Sequence, residues 1–455
     1  MVYRSAAIAA SFLAITVALC PSPRQSASAL TVATVLRQGM AGGCNIAVSA
    51  AASLGVDPSV DPGLVPVRGA EVRGVVQPEV AASPPPAADV KPAATTSVIP
   101  TTAPAIAEPN LALGINLSHW YWLPHDKSIE GIAKYFTGAD ADQLKAAGFT
   151  HARVPFEPQN LWDEQTQTLK SDAVKRYRDG ITLLTSRGLA AIVDPHPNTT
   201  AWADPAGELA ITEYPAFWRA LAGSLSNTDP ALVIFEVMNE PHGLKDRPER
   251  WPLLQATTIK AIRAAAPSHI ILATGDEWGS IGGLLRLTPT ASMLADSRII
   301  YSFHFYDPAT FTHQGAAWGA ANWRHLKKIP YPPTPESIAA ATEATTDPAA
   351  KGEVNWYAKQ RWDAAKVRGE LERARSWGAR HGVKVYCGEF GAYVSGGSEA
   401  QRLAWLADVT LPLREWNIGY AAWDYSGGFA FFTGRAGART LNVARAEAIG
   451  VGASK

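Results

Sequence analysis

Between Leu13 and His119 the chain has no phenylalanine, tyrosine or tryptophan, although its 455 residues include 15 Trp, 13 Tyr and 13 Phe. All 15 Trp and all 10 His lie at or beyond His119. A packed core and a binding site are therefore expected only in the C-terminal three quarters. Cysteine is scarce as well, with Cys20, Cys44 and Cys387 alone. Three are too few for a disulfide framework or a Cys-based metal site, and Cys387, in an apolar run, is expected to be a small core residue. Charge of either sign is not in excess. Lys plus Arg equal Asp plus Glu at 41 each, so no global field favours nucleic acid or anionic lipid, and a neutral ligand suits this balance. The sequence also lacks a Cys/His zinc spacing, a Gly-rich phosphate loop after a strand and a Gly-x-Ser-x-Gly elbow, so neither a metal nor a cofactor is expected.

The N-terminus carries Arg4, an apolar run over 6–20 and the small triplet Ala27-Ser28-Ala29. This is the layout of a cleavable secretory signal over 1–29, and the run is too short to span a bilayer. Export to the periplasm or medium is expected, with no membrane span after cleavage. Cys20 follows Leu19, not a small residue, which gives a lipoprotein site little support. Residues 30–109 are rich in Ala, Pro, Val, Ser and Thr, including Pro84-Pro85-Pro86. Such a segment buries too little to offset its ordering entropy and reads as a disordered, flexible spacer, with a short helix over 32–54 as the one exception to consider.

Residues 110–455 form the expected folded domain. Apolar runs suited to strands occur at 113–117, 151–155, 190–194, 233–239, 270–274, 299–305, 384–389 and 420–423. Amphipathic helical stretches lie between them at 139–147, 172–187, 214–226, 253–266 and 366–381, and Gly148, Gly188 and Gly382 follow three of these as C-caps. Eight strands alternating with helices predict an α/β fold, a (β/α)8 TIM barrel, with a doubly wound open sheet as the alternative. The stretch 307–365 is too long for an ordinary connection and carries Trp318, Trp323, Trp356 and Trp362, so it is expected to wall a site.

The chain is organised around Leu232-Val233-Ile234-Phe235-Glu236-Val237-Met238-Asn239-Glu240-Pro241-His242. Its apolar half reads as a strand buried on both faces, and it ends in an amide, a carboxylate and a proline. A second strand closes likewise at Cys387-Gly388-Glu389-Phe390-Gly391. In a parallel barrel both Glu240 and Glu389 reach the C-terminal mouth, as do Asn116, Arg153, His196, His304, Tyr306 and Trp423. Two carboxyls facing each other without a cofactor suit glycosidic bond cleavage, where one protonates the leaving oxygen and the other attacks or activates water. Glu236, within the strand, is expected to be structural and paired with an arginine. His125, His242 and His313 are expected to be ordinary structural histidines.

The ordered set Gly114-Ile115-Asn116-Leu117, Arg153-Val154-Pro155, Asn239-Glu240-Pro241, His304-Phe305-Tyr306 and Gly388-Glu389-Phe390-Gly391 resembles glycoside hydrolase family 5, over residues 111–425. The resemblance implies Glu240 as acid/base and Glu389 as nucleophile of a retaining mechanism, which needs carboxyls roughly 5 to 5.5 Å apart. It further implies that Arg153 and Tyr306 hydrogen-bond Glu389, that Asn239 binds the sugar 2-hydroxyl, that His196 and His304 line the reactive subsite, and that Asn116 is a substrate-binding residue. Trp423 would offer a flat face to a pyranose, and Trp120 and Trp278 are candidates to extend that platform. The leading expectation is an endo-β-1,4-glucanase that acts as a monomer on a polysaccharide or oligosaccharide. A β-mannanase, a β-1,3-glucanase, an exopolysaccharide hydrolase or a transglycosylase would use the same fold, and a non-catalytic carbohydrate-binding barrel is the alternative from another class. The aromatic-free N-terminal segment gives no sign of a separate carbohydrate-binding module.

Overall fold

Runs such as Leu232-Val233-Ile234-Phe235 are apolar at every position, so a strand built from them must be covered on both faces. The computed structural model describes residues 107–198 and 201–452. In it, eight such runs form strands β1 (Leu113–Asn116), β2 (His151–Phe156), β3 (Ala190–Pro195), β4 (Val233–Glu236), β5 (Ile270–Thr274), β6 (Ile299–His304), β7 (Lys384–Glu389) and β8 (Gly419–Ala422). They pair in parallel, each with its sequence neighbour, and β8 returns to β1 to close the barrel. The expected (β/α)8 architecture is thus the observed one, and the open sheet is excluded.

Seven strands end within one residue of the expected positions. The exception is β4, which stops at Glu236 where the sequence suggested continuation to residue 239. Beyond Glu236 the ladder is reduced to single bonds, Val237 N–H to the Leu272 carbonyl and Asn239 N–H to the Pro195 carbonyl. The chain then turns at Glu240, whose φ is +44°.

Side chains alternate along each strand. Ala190, Ile192, Ile234, Ile270, Leu272, Ile300, Tyr386 and Ala421 fill the barrel interior as one apolar cluster. Their neighbours Ala191, Val193, Val233, Phe235, Ile271 and Ala273 face outward into a second, larger core beneath the helices. Those helices are α1 (Gly138–Ala146), α2 (Ser171–Thr185), α3 (Glu208–Leu225), α4 (Arg250–Ala265), α5 (Ile281–Arg286), α6 (Ala364–His381), α7 (Glu399–Glu415) and α8 (Val443–Ala448). The expected C-cap glycines take left-handed φ values of +94° at Gly148 and +67° at Gly188 and Gly382. Helix α3 starts at Glu208, well before the expected residue 214, and carries Pro215 within its length.

Residues 307–365 are more ordered than a loop. They contain helices Ala309–Thr312, Pro335–Ala344 and Pro348–Gln360 before α6 begins. Cys387 is a free, buried thiol, as expected. The signal over 1–29, the helix over 32–54, Cys20, Cys44 and all but residues 107–109 of the spacer lie outside the described residues. Among the described residues no helix is long and apolar enough to cross a membrane.

Candidate active site

Toward the C-terminal mouth the inward positions change from apolar to polar. Low in the barrel, His151 Nε2 and the Tyr386 hydroxyl meet at 2.7 Å. Two residues further along β2, Arg153 is fully buried and organises the next layer. Its Nε donates to Glu236 Oε2 at 2.7 Å and its Nη2 to Glu236 Oε1 at 3.0 Å, a two-point pairing that fixes the guanidinium plane. The same group lies 3.1 Å from Asp194 Oδ2 and donates to Asn116 Oδ1 at 3.0 Å, Asn239 Oδ1 at 2.8 Å and Glu389 Oε1 at 2.5 Å. Glu236 is therefore the arginine-paired structural group that the sequence suggested.

Glu389 reaches the mouth through an irregularity. Along β6 and β7, Phe303 is paired with Cys387 but His304 with Glu389, so Gly388 is an extra residue. Strict alternation would turn Glu389 away from the barrel axis, and the bulge turns it back. A side chain at Gly388 could not be accommodated, since its Cβ would lie 2.8 Å from Ser302 Oγ and 3.1 Å from His304 Nε2. Glu389 Oε2 accepts from the Tyr306 hydroxyl at 2.8 Å, so each of its oxygens has a donor. The Tyr306 phenol is held far above its ordinary pKa, by burial first and then by the charge of Glu389, and remains a donor.

Glu240 stands on the opposite lip, with its side chain 23% exposed. Its Oε1 lies 2.8 Å from His304 Nδ1, which is also 3.6 Å from Glu389 Oε2. One oxygen of Glu240, one of Glu389 and a His304 nitrogen all lie within 4.8 Å of one another. Burial pushes the Glu240 carboxyl up to about 7, against the opposing pull of Arg153. Burial also raises Glu389 to about 7, with His304 and Arg153 opposing and Glu240 reinforcing. Two carboxyls this close do not readily ionise together. The shared proton belongs on Glu240, because Glu389 is the one that accepts from both Arg153 and Tyr306. His304 is held below the ordinary histidine range by burial, which keeps its ring neutral.

Glu240, His304 and Glu389 also have the spacing of a metal-binding set. The Arg153 guanidinium, 2.5 Å from Glu389 Oε1, already supplies positive charge there and works against a second cation.

Around this pair, His196 Nε2 meets Asp194 Oδ2 at 2.5 Å, and burial pushes Asp194 up to about 7. The His196 ring lies parallel to Trp423 with centroids 6.1 Å apart. The Trp423–Asp424 peptide bond is cis. Asp424 is enclosed, accepts from Ser118 Oγ and is raised to about 8 by burial.

Of the expected site residues, Glu240, Asn239 and His196 line one cleft, His304, Glu389 and Tyr306 join Glu240 in one chain of close polar contacts, and Trp423 lies beside His196. Asn116 and Arg153 lie beneath it. The Asn116 amide is fully buried and fully engaged, donating to the Gly388 and Ala422 carbonyls while accepting from Arg153, so its expected contact with a ligand is corrected to a supporting one.

Trp120 is a second correction. It is buried against Phe136 with its Nε1 donating to the Ile132 carbonyl, because Ser118–Tyr121 is a helical turn that points it inward. Trp122, two residues on, takes the place expected of it, 4.4 Å from His196 and 5.8 Å from Trp423 between ring centroids. Trp278 does stand at the cleft, 55% exposed, and His242, expected to be merely structural, is stacked on it. His125 stacks on His119. His313 packs against Tyr306, Phe429 and Trp323 and so joins the 307–365 insertion to the site. Of the insertion's tryptophans, Trp362 is buried, Trp323 packs against the core, and Trp318 and Trp356 are exposed. Asp194, Asp424 and Trp122 were missed. Asp194 carried the same strand-end signal as the glutamates, whereas the other two follow their strands in loops.

The sequence profile of the family described as Cellulase (glycosyl hydrolase family 5) matches residues 128–428. Endoglucanase C of Acetivibrio thermocellus is 27% identical over 323 residues, 69% of this chain and 90% of that protein. The structure of Thermotoga maritima Cel5A in complex with cellobiose superimposes with a TM-score of 0.58 at 24% identity, covering 74% of this chain and 97% of that one. A Clostridioides difficile protein, the clostridial cellulose synthase subunit Z, gives 0.59 at 21% identity, covering 74% and 99%.

Proposed function

The chain belongs to glycosyl hydrolase family 5 and is a glycoside hydrolase, and we propose that it is an exported endo-β-1,4-glucanase acting with retention of configuration. The observation that carries the mechanism is the Glu240 and Glu389 pair, with closest oxygens no more than 4.8 Å apart and opposite hydrogen-bonding. So close an approach suits the retaining arrangement, whose carboxyls stand roughly 5 to 5.5 Å apart, better than an inverting one, whose carboxyls stand roughly 6.5 Å apart or more.

In the first step Glu389 attacks the anomeric carbon while Glu240 gives its proton to the glycosidic oxygen. The carbon–oxygen bond breaks, the leaving sugar departs as an alcohol, and a glycosyl ester to Glu389 remains. Glu240, now ionised, takes a proton from water. The resulting hydroxide equivalent attacks the same carbon, freeing Glu389 and restoring the Glu240 proton. Arg153 and Tyr306 keep Glu389 charged and aimed until it reacts. Asn239 turns its Oδ1 to Arg153 and so directs its amide nitrogen elsewhere, toward the sugar 2-hydroxyl in this reading. Trp423, with His196 and Trp122 as ring neighbours, offers its flat face to the reacting sugar in this reading.

The substrate assignment leans on the endoglucanase relative, and export on the leader expected over 1–29. Both are open to one set of assays. The protein recovered outside the cytoplasm should cut carboxymethyl cellulose and mixed-linkage β-glucan, lowering viscosity faster than it releases reducing ends. Mannan and β-1,3-glucan should be cut at least tenfold more slowly. A higher kcat/KM on mannan or β-1,3-glucan would displace the glucanase reading, and binding without cleavage would favour a non-catalytic barrel. Activity found only in the cytoplasm would remove export. Longer products at high oligosaccharide concentration would assign transglycosylation to the same two glutamates.

A further inference from the structure

Residues 277–279 adopt a conformation that L side chains rarely take. Glu277, Trp278 and Gly279 have φ values of +52°, +61° and +62°, three left-handed residues in succession. Such a run persists only where its surroundings impose it. Here Trp278 N–H donates to the Pro241 carbonyl at 3.1 Å, and the Gly279 carbonyl accepts from His304 N–H at 2.7 Å. Arg286 closes the outer side, its Nη2 donating to Asp276 Oδ1 at 2.8 Å and also to Glu277. The loop is thus fastened at both ends to direct neighbours of Glu240.

What this loop presents is the Trp278 indole, in the same cleft as Glu240, Asn239 and His196. One face is covered: the His242 ring lies 3.6 Å away between centroids and within 7° of parallel. His242 is fixed in turn, because its Nδ1 lies 2.8 Å from the Glu240 carbonyl oxygen. That oxygen can only accept, so Nδ1 carries the proton and the ring cannot rotate without losing the bond. The indole remains 55% exposed, which leaves its other face open to the cleft.

We propose that His242 is a positioning residue that backs Trp278 as a one-faced platform for the sugar on the leaving-group side, tying that platform to the backbone of Glu240. This inference rests on the glucanase reading above. The sugar stacked on the open indole face has its glycosidic oxygen held at the Glu240 carboxyl, so indole placement governs how often that oxygen and the proton donor are aligned. Without the imidazole the indole can tilt into the space left behind, and alignment suffers only for substrates that place a sugar there.

The test compares cellopentaose, which has sugars on the leaving side, with β-cellobiosyl fluoride, which has none. His242→Ala should lower kcat/KM for cellopentaose about tenfold, mostly through a higher KM, and at least fivefold more than for the fluoride. His242→Phe, which keeps a flat ring behind the indole, should recover most of the loss. Trp278→Ala should reproduce the pattern, and the double variant should lose little beyond either single one, because both act on one platform. Equal losses on the two substrates, no recovery by Phe, or fully additive losses would each overturn the proposal. Should the wild-type protein cleave neither substrate, the glucanase reading fails and this inference with it. Wild-type cleavage of both with equal losses in the variants removes this inference alone.

Discussion

Glu389→Gly should reduce hydrolysis of an aryl β-cellobioside by roughly four orders of magnitude or more, the scale of loss when a nucleophile is removed from a covalent mechanism. The fold should survive, because Arg153 keeps two carboxyl partners, Glu236 and Asp194, and is not left as an unpaired buried charge. The vacated volume lies directly beneath the anomeric carbon in the proposed complex. Added azide should occupy it and attack from the face that Glu389 normally uses, and the product should be the α-glycosyl azide, inverted relative to the substrate. Gas or liquid chromatography of the azide adduct, with its anomeric coupling constant, checks this. Retained hydrolysis, or a β-azide, would remove Glu389 as the nucleophile.

Glu240→Ala separates the two halves of the reaction. For cellotetraose, whose leaving alcohol requires a proton, kcat should fall roughly 10²- to 10⁴-fold. β-Cellobiosyl fluoride needs little protonation, so glycosylation of Glu389 should continue while the ester accumulates, giving a burst followed by slow turnover. Azide should relieve the slow step and yield the β-azide. The pH dependence follows from the same pair. In the active form Glu389 is ionised and Glu240 protonated, so the rate falls as acid protonates Glu389 and falls again as pH rises through the elevated pKa of Glu240, about 7. In the Ala variant the alkaline limb should vanish and the acid limb remain, because Glu389 still titrates. An alkaline limb that persisted would assign the proton to another group.

The barrel was legible because its strands are apolar on both faces, a pattern that only enclosure satisfies, and because glycines at 148, 188 and 382 mark where helices stop. Glu240 and Glu389 were legible as carboxylates ending such strands. What the pattern could not supply was direction. Strict alternation aims Glu389 outward, and only the extra residue at Gly388, visible once β6 and β7 are paired, turns it toward Glu240. The exchange of Trp120 for Trp122 has a similar cause, since a single helical turn after β1 decides which indole faces the cleft. His242 looked ordinary because its partner, Trp278, is 36 positions away in sequence and reaches it through a left-handed loop that no local propensity favours. Asn116 sits at the expected strand end, yet the demands of Arg153 and two carbonyls consume its amide. Buried polar groups of this kind are chosen to satisfy one another as much as to meet a ligand.

The claim on which the mechanism depends is that Glu389 and Glu240 act on one anomeric carbon from covalent distance. Proton NMR during the first minutes of cellotetraose hydrolysis by the wild-type protein tests it most directly, before mutarotation mixes the anomers. The account predicts that the newly formed reducing end appears as the β-anomer and drifts to the equilibrium mixture. Initial appearance of the α-anomer would mean a single inverting displacement by water and would contradict it.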